Sequence, residues 1–235
     1  MASPEKKAEK LWHLHHCPLL AGMSQAEMQE VEQVTVMAKL KAQERLIISQ
    51  EDAHSVWLIK EGLVSLSYSD AEGKDATVLL LGAGDLFGAL ESGDPAYGES
   101  AVALKPTVLC RMFQHQLESL CARHPEISYR VTKFSWRRIA RLQQRLAELM
   151  TRSVRERLAM LLVKVSAEYG QEIVGRGRSL GLSVTHDDLA HLVGSSREMV
   201  SKVMAQFRDL GWIRSSRKTI ELVDLGALEE VAGSP

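Results

Sequence analysis

THDDLAHLVGSSREMVSKVMAQF, residues 185–207, reads as two short helices on either side of a glycine turn. Thr185 offers a hydroxyl cap to the first, and Asp187 and Asp188 fall in its positive first turn. Leu189, Ala190 and Val193 form an inward face. Gly194 stands where the tight turn of a helix-turn-helix needs a residue that tolerates positive φ. Ser196 caps a second helix, whose Val200, Val203 and Phe207 recur at spacings of three and four. That spacing leaves Arg197, Glu198, Ser201 and Lys202 outward near the helix N-terminus, where a recognition helix meets base edges in the major groove. Arginine donates two hydrogen bonds to guanine O6 and N7, and glutamate accepts from cytosine N4. Phosphates repel a carboxylate, so Glu198 on a DNA surface points to base reading. An exposed first turn without a DNA role would account for Arg197 and Glu198 alone, but not for the whole spacing. Thr185, Ser195 and Ser196 complete the DNA-facing set expected on these helices. Downstream, Leu210-Gly211-Trp212-Ile213 leads into two short strands around Ser215–Lys218, a wing from which Arg214, Arg217 and Lys218 would touch phosphate.

Charge supports this placement. The formal net charge is −1, but residues 129–220 carry 18 Lys+Arg against 8 Asp+Glu, whereas residues 1–128 carry 11 against 18. Such a split suggests a nucleic-acid module joined to something else. Between the two lies a long helix. Pro125 suits a first helical turn, and no Gly or Pro interrupts the chain from there to about residue 150. Ile139, Leu142, Leu146 and Leu149 recur along it as a heptad-like seam, read as a dimerisation face. Val154 to Tyr169 forms another amphipathic helix, and the glycines at 170, 175, 177 and 181 mark a loop with weak strands.

The first half has a different period. Residues 5–16 read as a short helix ended by Pro18, and SQAEMQEVEQ, residues 24–33, opens a second with a capping box between Ser24 and Glu27. From about 34 to 112 short apolar runs recur (VTVMAKL, RLIIS, SVWLI, LVSLSYS, ATVLLL, SAVAL, TVLCRM), separated by turn formers such as Glu61-Gly62 and Lys105-Pro106. That pattern indicates an antiparallel barrel or roll. The fold class is therefore α+β: an N-terminal antiparallel β-roll over 1–124, a dimerisation helix and hinge over 125–152, and a winged helix-turn-helix over 153–235.

LVGSSREMVSK with the wing sequence RKTIEL closely resembles the Crp/Fnr family of bacterial transcription regulators. LIKEGLVSLSYSDAEGKDATVLLLGAGDLFGAL, residues 58–90, resembles that family's cyclic-nucleotide-binding-like roll, with Gly62, Gly73, Gly84-Asp85 and Phe87-Gly88 as markers. The resemblance spans about residues 15 to 225. It implies a homodimer joined by the long helix, a hinge near 150–153, a palindromic site, and contact with RNA polymerase as activator or repressor. In the cyclic-AMP-responsive branch an Arg-Glu pair is followed, four residues after the Glu, by Arg. This chain has Arg197, Glu198 and Lys202, which implies a half-site similar to TGTGA read more loosely where Lys202 faces, because lysine lacks the planar fork.

The resemblance also assigns an effector pocket to Phe87, Gly88, Ala89, Leu90, Glu99, Ser100 and Leu142. Cyclic-AMP binders carry Phe-Gly-Glu-Leu there, then an Arg-Ser pair that holds the cyclic phosphate. Here the first reads Phe87-Gly88-Ala89-Leu90 and the second Glu99-Ser100, and Leu142 stands where the helix would offer a hydroxyl. An acid in place of the arginine repels the phosphate, so cyclic AMP is not the expected effector. The expectation is an effector-independent protein or one answering another small molecule or a redox signal.

His13, His15, His16 and Cys17 offer a further reading. Imidazole and thiolate ligate haem and zinc, and His13, His16 and Cys17 are candidate ligands of a gas or redox sensor, against the plainer reading of a solvated His-rich helix. Otherwise no cofactor is expected. Cys110 and Cys121 read as small core residues rather than sensors. No P-loop, GxSxG, HExxH or Rossmann fingerprint is present, so an enzyme is not expected. A ligand-binding signalling module without DNA function is the competing class. No apolar run approaches a membrane span and the start MASPEKKAEK lacks a signal-peptide core, so the expected location is the cytoplasm.

Overall fold

A computed structural model of the chain describes residues 18–48, 52–69, 75–88, 98–174, 177–182, 184–216 and 219–233. It forms two compact units, residues up to 74 with 80–140, and residues 75–79 with 141–235. The expected helix over 5–16 and the candidate ligands His13, His16 and Cys17 lie outside the described residues.

The first unit begins with a 3-10 turn at Pro18–Leu20 and helix α1 (Gln25–Val34). Ser24 and Glu27 close the expected capping box at its start. Eight strands follow: β1 (Val36–Leu40), β2 (Arg45–Ile47), β3 (Ser55–Glu61), β4 (Leu63–Ser69), β5 (Asp75–Gly82), β6 (Leu86–Gly88), β7 (Gly98–Ala103) and β8 (Thr107–Phe113). They build one sheet in the order β1-β8-β3-β6 and another in the order β2-β7-β4-β5. The apolar runs read from sequence are β1 to β5, β7 and β8; the added strand, β6, is the Phe87-Gly88 marker itself paired with β3. Three residues are too few for a period to show.

Alternation along β3 serves two apolar layers. Val56 and Leu58 join Leu20, Met28, Val31, Leu86, Cys110 and Met112 in a buried cluster. Trp57, on the opposite face, stacks on Phe87 at 6.3 Å between ring centroids. The cluster is closed by Leu117 and Leu120 of α2 (Gln114–Arg123) and by Ile127 and Phe134 of α3 (Pro125–Thr151). Pro125 opens this 27-residue helix as its sequence suggests.

In the second unit, α4 (Val154–Tyr169) is capped by Ser153, whose hydroxyl accepts from the Glu156 N–H while the Glu156 carboxylate accepts from the Ser153 N–H. Leu158, Leu162 and Val165 of α4 are buried with the apolar faces of α5 (His186–Val193), α6 (Arg197–Asp209) and α7 (Leu225–Ala232). A small sheet runs in the order β11-β12-β10-β9, from β9 (Glu172–Ile173), β10 (Gly177–Ser179), β11 (Ile213–Ser215) and β12 (Ile220–Leu222). The Phe207 ring meets Trp212 at 5.5 Å, and the Arg155 guanidinium lies over the Trp212 ring at 5.3 Å, which fixes the chain where α6 gives way to the wing.

Candidate nucleic-acid interface and effector site

Helices α5 and α6 form the helix-turn-helix. Thr185 caps α5 in a reciprocal box: its hydroxyl accepts from the Asp188 N–H at 3.1 Å, and Asp188 Oδ2 accepts from the Thr185 N–H at 2.7 Å and its hydroxyl at 2.8 Å. The Thr185 side chain is thus engaged within its own cap. Gly194 ends α5 at φ 66° and ψ 55°, the left-handed conformation that spares only glycine a Cβ clash. A Cβ there would come within 2.7 Å of Leu149 Cδ2, so the turn is also a packing contact. The Ser195 N–H closes the turn on the Ala190 carbonyl at 3.0 Å.

Ser196 caps α6, accepting from the Met199 N–H at 3.3 Å. Val200, Val203, Met204 and Phe207 are buried, while Arg197, Glu198 and Lys202 are exposed as the spacing requires. The Glu198 carboxyl is held below the usual range by its own backbone N–H and by Ser196. Ser201 is half-buried, and its hydroxyl lies 2.9 Å from His186 Nδ1, a bond that ties the start of α5 to the middle of α6. Met199, 44% exposed beside Glu198, was not singled out by the sequence, because an apolar residue off the inward stripe carries no hydrogen-bonding signal. In the wing, Ser216 and Thr219 bond through their hydroxyls at 2.6 Å; Arg217 and Lys218 lie outside the described residues, and Arg214 is exposed.

Two arginines outside the motif hold it. Arg157 of α4 donates to the Val193 and Gly194 carbonyls, and Arg145 of α3 to the Leu192 carbonyl at 2.7 Å. They occupy acceptors that the C-terminus of α5 leaves free. Burial lowers the Arg145 pKa from its usual value.

Along α3 the apolar residues exposed in the single chain are Tyr129, Trp136, Ile139, Leu146, Leu149 and Met150. Tyr129, Trp136 and Met150 fall in one heptad position and Ile139 and Leu146 three residues on, so they follow one stripe. Of the expected seam, Leu142 is half-buried and Leu149 lies one turn aside against the Gly194 turn.

In the roll, Phe87 is fully buried and Gly88 has φ +92°, with Ser55 O 2.4 Å and Trp57 Cδ1 3.0 Å from where a Cβ would stand. No side chain fits Gly88 without moving backbone. Ala89 and Leu90 lie outside the described residues, and Leu142 belongs to the part of α3 in the second unit. Glu99 pairs with Tyr68 across β7 and β4 and shares its face. Its Oε1 accepts from the Tyr68 hydroxyl at 3.2 Å and lies 3.7 Å from Arg138 Nη2. Arg138 also donates to the Tyr68 oxygen at 3.2 Å, and the Gly88 N–H donates to the Glu99 carboxylate. Ser100, next along β7, faces the other way and accepts from Arg45 at 2.9 Å. A further anion brought here would meet a carboxylate that already engages Tyr68 and Arg138. Tyr68 and Arg138 escaped the sequence reading, although Arg138, one turn before Leu142, is the cation that an acid in the pocket calls for.

Among the described residues, no group of three or more His, Cys, Asp or Glu is placed to hold a metal ion, and no helix is long and apolar enough to cross a membrane.

Comparison with known proteins places these units. Residues 37–124 match the family model of the cyclic nucleotide-binding domain and residues 156–231 that of the Crp-like helix-turn-helix domain. The chain is 31% identical over 179 residues to a CRP-like cAMP-activated global transcriptional regulator of Mycobacterium tuberculosis, covering 74% of this chain and 78% of that protein. It is 29% identical to the cyclic AMP receptor protein of Thermus thermophilus, over 92% of this chain and 96% of that one. Among solved structures, a CRP-family transcriptional regulator from Thermus thermophilus superposes with a TM-score of 0.71 at 30% identity, covering 84% of this chain and 97% of its own.

Proposed function

The chain belongs to the Crp/Fnr family of DNA-binding transcription regulators and is not an enzyme, and from that premise we propose that it acts as a homodimer on a palindromic site, in the cytoplasm, without cyclic AMP as its control. The observation that carries the DNA reading is the capped recognition helix with Arg197, Glu198 and Lys202 exposed on one side and Val200, Val203 and Phe207 buried on the other. Arg197 and Glu198 read a G·C step, and Lys202 supplies charge with looser base preference. The α3 stripe of Trp136, Ile139, Leu146 and Met150 supports dimerisation, since so much apolar surface in one line calls for a partner. Two such domains related by a two-fold axis read two half-sites, so the site is an inverted repeat similar to TGTGA in each arm. Bound there, the protein contacts RNA polymerase.

Glu99 supports independence from cyclic AMP, although the two relatives above bear names that tie them to it. A phosphate brought to the Gly88 N–H and Arg138 would have to displace a carboxylate already there and then lie beside it. A thiol-based redox signal is less well supported: Cys110 is fully buried, and burial and Glu118 push the Cys121 thiol up, leaving little reactive thiolate.

The test is a fluorescence anisotropy titration at one stated salt concentration, with a TGTGA palindrome and with scrambled DNA, each with and without cyclic AMP. Selective binding of equal strength in both conditions is expected, and Arg197→Ala should cost about 1–3 kcal/mol of it. Selectivity that appears only with cyclic AMP would overturn the effector reading, and its absence in both conditions would overturn the half-site.

A further inference from the structure

We propose that Glu99 is a built-in anionic ligand of the roll: its carboxylate occupies a seat made by the Gly88 N–H, the Tyr68 hydroxyl and the Arg138 guanidinium, and so fastens α3 to the strands without a diffusible effector. Once vacated, the same seat takes a small carboxylate.

The three donors come from three elements, β6, β4 and α3, and converge on a side chain from a fourth, β7. Arg138 and Glu99 are largely shielded, with 19% and 14% of their side chains exposed, so their attraction is only weakly screened. Arg138 is doubly committed, to Glu99 and to the Tyr68 oxygen, which fixes the direction of its guanidinium and the rotation of α3 at that point. Gly88 contributes because it lacks a Cβ: at φ +92°, packed on Ser55 and Trp57, its N–H is the group left to meet the carboxylate. The Glu99 pKa is raised from its usual value, because burial pushes it up by more than Arg138, Tyr68 and Gly88 pull it down. An ordinary salt bridge needs one cation. This carboxylate has a cation, a hydroxyl and a backbone N–H, the donor set that would hold a free anion.

The consequence for DNA binding rests on the function proposed above, whereas the seat itself does not, and the experiment separates the two. Amide hydrogen exchange is measured on the full-length protein for Gly88 and for the α3 segment around Arg138. Wild type is compared with Glu99→Ala, Glu99→Gln and the double variant Glu99→Ala/Arg138→Gln, each in sodium chloride and in sodium acetate of equal ionic strength. Glu99→Ala should raise exchange at both places about tenfold or more, the loss of a charged hydrogen-bond acceptor. Acetate should restore protection in Glu99→Ala, chloride should not, and the double variant should show no rescue. Glu99→Gln, which keeps the shape but not the charge, should fall between Glu99→Ala and wild type. Unchanged exchange in Glu99→Ala, or equal protection by chloride, would overturn the proposal. The palindrome titration is run on the same samples. Rescue of exchange by acetate in a protein that selects no DNA would remove the functional reading and keep the seat; selective DNA binding without rescue would do the reverse.

Discussion

Arg157 binds the end of α5 from α4: its Nε donates to the Val193 carbonyl at 2.8 Å, while Nη1 donates to the Arg152 carbonyl at 2.6 Å. One guanidinium therefore holds together the end of the long helix, the start of α4 and the turn of the helix-turn-helix. Its partners are carbonyls at helix ends that α-helical bonding leaves free. Replacing Arg157 by Leu keeps much of the apolar stem and removes these bonds. The expected cost is about 2 kcal/mol of stability in the second unit. Arg157 touches no base-reading side chain, so DNA affinity should fall while the order of preference among base-substituted sites stays as in wild type. Calorimetry and anisotropy on a panel of single-base variants measure both, and an altered order of preference would show that Arg157 does more than hold the turn.

The exposed stripe of α3 leads to a prediction about assembly. Trp136 is 67% exposed and Met150 78%, two heptads apart on one line with Ile139 and Leu146 between them. In the proposed homodimer a charge placed in such a seam must be desolvated against its symmetry mate. Trp136→Glu should therefore shift the protein to monomer in sedimentation equilibrium at micromolar concentration, and binding to a full palindrome should weaken to that of a half-site. Leu142→Glu, off the stripe, should disturb assembly far less. Equal dissociation by both substitutions would place the seam where the sequence alone put it.

Acid sensitivity has a defined source in the capping box that opens α4. The Glu156 carboxyl is pulled from the ordinary 4.5 down to about 2, mainly by the Ser153 side chain and backbone, with Arg152 helping. Because its folded pKa lies below the unfolded one, Glu156 contributes stability in full above pH 4.5 and loses it as pH falls through about 2. The thermal midpoints of wild type and Glu156→Gln should differ by a constant amount at pH 5 to 7 and converge as pH is lowered from 4.5 toward 2. A difference that persists unchanged at pH 2 would assign the effect to shape rather than charge.

The helix-turn-helix was legible in the sequence because its determinants are local. Caps at Thr185 and Ser196, a left-handed Gly194 and apolar residues three and four apart all act within a few residues of themselves. The strands were legible for the same reason, except β6, whose Phe87-Gly88 is held by pairing with β3 rather than by a period of its own. What the sequence did not disclose depends on contacts distant along the chain: Arg138 meeting Glu99, Arg157 reaching Val193, His186 reaching Ser201. The α3 seam is an intermediate case. Ile139, Leu142, Leu146 and Leu149 share helical spacing, but Ile139, Leu146 and Leu149 are exposed in the single chain whereas Leu142 is half-buried, a difference that spacing alone does not give.

Lys202 gives the sharpest prediction about specificity. It is exposed on α6, one turn beyond Glu198, and carries a point charge where a guanidinium would present a planar fork. Lys202→Arg keeps the charge, so the dependence of affinity on salt should not change, since the number of phosphates neutralised is the same. Discrimination at the facing base pair should sharpen, by about 1–3 kcal/mol if both guanine acceptors are engaged. Selection from a half-site randomised at each position, followed by salt titrations on the selected and wild-type sites, measures the two effects separately. A steeper salt slope with no gain in discrimination would mean that residue 202 meets the DNA backbone, and base reading would then rest on Arg197 and Glu198.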